Sequence, residues 1–199
     1  MSTDLIQLIK QRRSIRRFQD KPVEKEIIEE ILQAGRYAPS AHNRQPWRFI
    51  VIINKEYIQE LSRKVKEEIK SLLRKKIGKP RELKNRENQV FLASIAYSEE
   101  DKVFFDAPVL ILILTDDELF SVESCACCAQ NMMLAAYSLG LGSCWIGLAN
   151  ILNLNKKHLE EIGVPEGYHI VAAIILGYPA EKTEKLPIRK LGDILKWID

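Results

Sequence analysis

A chain of 199 residues and 22.9 kDa, 46% apolar and 29% charged, has the size and balance to fold as one domain, 1–199, around a sizeable core. Its 30 Lys and Arg against 27 Asp and Glu leave a net charge of +3, too small by itself to argue for a nucleic-acid or anionic-membrane partner. Three of the four cysteines, 125, 127 and 128, crowd into one helical stretch, which argues against a disulfide framework and for reduced thiols.

The opening Met-Ser-Thr-Asp-Leu-Ile-Gln lacks the basic and apolar regions of a secretory signal, so a cytoplasmic location is the default expectation. Leu5, Ile6, Leu8 and Ile9 have helical spacing, and the helix they predict over 4–11 delivers the basic segment Arg12-Arg13-Ser14-Ile15-Arg16-Arg17-Phe18. A second amphipathic helix is expected over 24–36, ending at Gly35. The turn-rich Ala38-Pro39-Ser40-Ala41-His42-Asn43-Arg44-Gln45-Pro46-Trp47 follows it. Residues 47–53 are β-branched and aromatic, as a strand requires; 61–88 is charged and helical in pattern; 109–114 is a second strand.

From Ser124 to Asn155 no residue carries a formal charge, but the Gly140-Leu141-Gly142 break leaves the helix over 122–139 short of the about 20 residues a membrane span needs. That helix reads as buried on nearly every side, as in the core of a dimer. The chain then passes through Gly140–Gly147 to a third strand at 168–176. Strands and helices interleave without a strict βαβ rhythm, which predicts an α+β fold with one central sheet, mostly antiparallel, flanked by helices.

Two segments carry candidate chemistry. The guanidinium groups of Arg12, Arg13, Arg16 and Arg17 around the Ser14 hydroxyl suit a phosphate monoester, although a solvated basic turn has the same composition. In 39–47 two prolines stiffen a loop of amide and hydroxyl side chains able to meet a planar heterocycle edge-on; its plainer role is a turn into the strand at Trp47.

The two segments together resemble the leading motifs of the FMN-dependent nitroreductase family. Gln130-Asn131-Met132-Met133-Leu134-Ala135-Ala136, Gly140–Gly147 and Leu176-Gly177-Tyr178-Pro179 are similar to its later blocks, in the same order, so that only about 55–105 falls outside the resemblance. The resemblance implies an interlocked homodimer with FMN in each of two clefts at the interface. Arg12, Arg13 and Ser14 would then hold the FMN phosphate and ribityl chain, with Arg16 toward the pyrimidine side of the ring. Pro39, Ser40, Asn43 and Gln45 would come from the other subunit, while Ile146 and Gly147 offer backbone groups near the ring's reactive edge. Arg189, or Lys190 in its place, would return to the phosphate. NADH or NADPH would reduce the flavin, and a small electron-poor acceptor such as a nitroaromatic or quinone would reoxidise it in a ping-pong cycle. The alternative is an FMN-binding protein without that turnover.

No side chain is assigned a catalytic role: there is no Gly-x-Ser-x-Gly elbow, P-loop or His-Glu-x-x-His motif. Gly140-Leu141-Gly142 follows a helix and lacks a third glycine, unlike a dinucleotide fingerprint. The cysteines lack the paired spacing of iron–sulfur ligands, and His42, His158 and His169 are scattered, so no metal site is expected. The basic excess at 63–86 has no interleaved aromatic residue for base stacking, so it reads as a charged helix over the mouth of the site rather than a nucleic-acid surface. Tyr97, Phe104 and Phe105 are open to two readings, pocket lining or core.

Overall fold

In the computed structural model, which describes residues 5–75, 85–181, 189 and 194–198, the two longest apolar runs form the middle of a four-stranded antiparallel sheet. The strands are β1 (Arg48–Ile52), β2 (Val109–Thr115), β3 (Gly142–Trp145) and β4 (His169–Gly177), in the order β1-β2-β4-β3. Every residue of β2 is buried, because helices cover both faces of the sheet.

Successive side chains on a strand point to opposite faces. Leu110, Leu112 and Leu114 of β2 therefore join Ala173 and Ile175 of β4 in one core, under helix α3 (Lys55–Arg74), which contributes Ile58, Leu61, Val65 and Ile69. Val109, Ile111 and Ile113 join Ile174 and Leu176 in the other, under α2 (Lys25–Arg36) and α5 (Ser121–Ser138). A register shift at Ile113/Leu114 interrupts the alternation: Val171 and Ala172 both fall in the second core, and Ile170 returns to the first.

The remaining α-helices among the described residues are α1 (Leu5–Gln11), α4 (Arg86–Ala96) and α6 (Lys156–Ile162). Asn54, Asn85 and Asn155 cap α3, α4 and α6, each side chain accepting a backbone N–H of the first turn.

Three expectations need correction. The charged stretch is not one helix over 61–88: α3 starts six residues earlier, at Lys55, because the Asn54 cap sets its start, and Arg86 opens a second helix. Gly35 does not stop α2. It lies where α2 crosses α5, and a Cβ there would stand 2.7 Å from Met132 Cγ and 3.0 Å from Cys128 Sγ, so the missing side chain permits close packing. Gly142–Trp145 is a strand; its glycine and cysteine carry little β signal, and the free edge of β4 imposes the conformation. Within the single chain α5 is only partly enclosed, which leaves the expectation of a dimer core open. Cys125, Cys128, Met132 and Ala136 face the core, whereas Val122 is 51% exposed and Cys127 and Gln130 are open.

Candidate functional site

The segment after α1 is extended and lies against β3. The Ile15 N–H donates to the Ser143 carbonyl at 2.9 Å, bridging Ser14 to Ser143, and Phe18 bridges to Pro179. Gly142 allows the approach, since a Cβ there would meet Ile15 at 2.7 Å. The extended chain separates its side chains. Arg16 lines a cleft of about 940 Å³, whereas Arg13 lines a second cavity of about 590 Å³ with Gln11, Tyr137 and Glu181. Arg12 is half-buried, and its Nη1 is sealed from solvent without a hydrogen-bond partner among the described residues, as is the Ser143 hydroxyl. Ser14 is exposed, and Arg17 pairs with Glu181 at 2.9 Å.

The larger cleft opens between that segment, the residues leaving β3 and the connection from α4 to β2. Trp145, Ile146 and Gly147 form its inner wall, the Ile146 N–H held by the Ala173 carbonyl at 2.8 Å. Opposite stand Phe91, Ser94 and Ile95 of α4 and a turn over 100–106. The alternatives for the aromatic residues separate here: Phe105 lines the cleft, Phe104 is fully buried in the core, and Tyr97 is exposed beside the Lys70 ammonium.

The 39–47 loop is elsewhere. It precedes β1, at the opposite edge of the sheet from β3. A short 3-10 turn over Ala41–Asn43 is braced internally: the Gln45 N–H donates to Ser40 Oγ at 3.0 Å, and Gln45 Nε2 donates to Asn43 Oδ1 at 3.0 Å. Arg44 ties it to Asp116 and Glu118. His42, Asn43 and Gln45 all have φ near +50°, a region that non-glycine residues seldom occupy and that surrounding structure must hold.

One chain thus brings Arg16, Ile146 and Gly147 to one cleft, with Arg12 and Ser14 on the adjoining segment, and leaves Pro39, Ser40, Asn43 and Gln45 apart from it. Arg189 is exposed, and Lys190 lies outside the described residues. Reasoning from sequence missed the contribution of Phe91, Ser94 and Ile95 on α4 and of the turn residues around Phe105, which no local motif marks. The basic run is partly spent inside the fold: Lys64 pairs with Glu60 and Glu161, and Lys66 Nζ donates to the carbonyls of Ser98 and Glu100, bracing the cleft wall. Burial pushes the Cys125 thiol up to about 11 and that of Cys128 up to about 12, so both stay protonated at neutral pH and pack as apolar groups.

The family model described as "Nitroreductase family" matches residues 9–178. A Methanothermobacter thermautotrophicus protein, provisionally named NADH dehydrogenase/NAD(P)H nitroreductase, is 32% identical over 183 residues, covering 89% of this chain and 78% of that protein. The chloronitrobenzene nitroreductase of Comamonas testosteroni is 30% identical, with 86% of this chain and 85% of the relative covered. Among solved structures, a Bacteroides fragilis nitroreductase with bound FMN superposes with a TM-score of 0.80 at 28% identity, covering 99% of this chain and 100% of that one.

Proposed function

Because the chain belongs to the nitroreductase family, we propose that it is an FMN-dependent oxidoreductase that takes electrons from NADH or NADPH and passes them to a nitroaromatic, a quinone or another electron-poor acceptor. The donor and the acceptor visit the same cleft in turn.

The observation that carries this reading is the Arg12 guanidinium, sealed from water at Nη1 with no partner among the described residues. A buried donor left unpaired costs about 1 to 3 kcal/mol, and more when charged, so it calls for an anion. A phosphate monoester has the right charge and geometry. Four residues on, Arg16 lines the cleft of about 940 Å³, at the upper end of the range for cofactor sites.

FMN, when bound, supplies the hydride chemistry. Arg12, Arg13 and Ser14 hold the phosphate and ribityl chain, and Arg189 adds a cation from the tail. Arg16 sets a positive charge at the pyrimidine side, where it favours negative charge on the ring. Ile146 and Gly147 line the reactive edge with backbone; a Cβ at Gly147 would meet nothing within 4 Å, which leaves that flank open. No side-chain nucleophile is needed.

Pro39, Ser40, Asn43 and Gln45 reach the cofactor from a second copy of the chain. This explains why a loop strained at three φ angles and rich in amides stands away from its own cleft. Apolar surface fits such a partner: Leu5, Ile6 and Ile9 on α1 are exposed, as is Val122 on α5.

Absorbance of the purified protein, identification of flavin released on heating and NAD(P)H oxidation test the reading together. The expected result is bound FMN, with oxidation quickened by a nitroaromatic or a quinone. Bound FMN without that oxidation would leave a flavin-binding protein only, and failure to bind added FMN would overturn the proposal.

A further inference from the structure

The cleft wall opposite Gly147 is built around one carboxylate. Asp101 Oδ1 accepts the N–H groups of Val103 and Phe104, both at 3.0 Å, and the Ser62 hydroxyl of α3 at 2.5 Å, while Oδ2 accepts the Asp106 N–H at 3.1 Å. The turn so clamped places Phe105 at φ 57° and Asp106 at φ 49°, two successive left-handed residues, neither of them glycine. The reversal has a geometric result. The Phe104 ring is fully buried in the core, and the next ring, that of Phe105, is sent into the cleft. There the Arg16 guanidinium lies 5.7 Å from its centroid.

Arg16 has no hydrogen bond or ion pair among the described residues. The carboxylates nearby are engaged elsewhere: Asp101 with its backbone donors, Asp106 with Gln59 at 3.2 Å, and Glu100 with Lys102 at 3.9 Å. A planar guanidinium stacks on an aromatic face while its charge stays uncompensated. We propose that Phe105 is a positioning residue, a platform that holds the Arg16 cation at the pyrimidine side of the flavin and so strengthens binding of the reduced cofactor over the oxidised one. The proposal rests on the FMN reading above.

The test uses FMN-loaded protein and its two-electron potential relative to free FMN, which gives the ratio of affinities for reduced and oxidised cofactor. Phe105→Asn removes the ring yet tolerates the left-handed backbone, so the turn survives. It should lower the ratio about two- to fivefold, the worth of an exposed cation–aromatic contact, and Phe105→Tyr should restore it. Arg16→Gln should lower it at least as far, and adding Phe105→Asn to Arg16→Gln should change nothing further. An unchanged ratio in Phe105→Asn, or additive effects in the double variant, would overturn the positioning role while leaving the FMN reading intact. FMN bound with an unchanged ratio in Arg16→Gln would overturn both the placement of Arg16 and this role for Phe105.

Discussion

Arg12 and Arg13 are neighbours in sequence but not in surroundings: Nη1 of one is sealed and unpaired among the described residues, and the other guanidinium lines a second cavity near Glu181. Replacing Arg12 by Ala should weaken FMN binding by about 1.5 to 3 kcal/mol, the worth of a charge-assisted hydrogen bond. Arg13→Ala should cost less, and titration of FMN fluorescence separates the two. A second prediction concerns Cys125 and Cys128. Burial raises both thiols, to about 11 and about 12, above the value of about 8.5 expected when unfolded. A group whose folded pKa is raised contributes stability that is full below the unfolded value and lost as pH rises through the folded one. Stability should therefore decline between about pH 8.5 and pH 12, and the decline should be shallower in Cys125→Ala/Cys128→Ala, as followed by denaturant unfolding. The basic segment was legible in the sequence because Arg-rich chemistry is local. The Phe105 platform was not, since it depends on a carboxylate four residues earlier and a hydroxyl on another helix.

At the scale of elements, the runs that became β2 and β4 announced themselves because a strand covered on both faces is apolar throughout. The strand β3 stayed hidden because its conformation comes from the neighbouring edge rather than from Gly142, Ser143 and Cys144 themselves. Gly35 was misread for a related reason: the rule that a glycine ends a helix is blind to what crosses it. With Met132 Cγ 2.7 Å from the site of a Cβ, Gly35→Val should destabilise the fold by about 1 to 3 kcal/mol through overpacking, measurable as a lower denaturation midpoint with an unchanged slope.

At the scale of the whole molecule, the two segments that the family resemblance assigns to one cofactor lie on opposite edges of the sheet, and α5 leaves Val122, Cys127 and Gln130 exposed. Among the described residues no helix is long and apolar enough to cross a membrane, and Cys125, Cys128, Met132 and Ala136 of the uncharged stretch pack in the core. In the proposed dimer a second copy covers these exposed residues and completes the site. Val122→Glu, which places a charge there, should shift the protein toward monomer in sedimentation and release FMN in the same step, whereas a monomer that kept full FMN affinity would show the cleft to be self-sufficient. In the sequence the expectation of a dimer rested on the family resemblance and on a helix too apolar for one chain to surround.

The separation of Asn43 and Gln45 from Arg12 and Arg16 within one chain also has a genetic consequence. Two variants, one lacking the arginines and one lacking the loop amides, would each be inactive alone. Mixed, unfolded and reassembled, they would form hybrid pairs in which one site collects both defects and the other collects none. Random reassortment in a two-fold symmetric pair would then restore about a quarter of the original sites, so that two dead proteins complement each other in one tube.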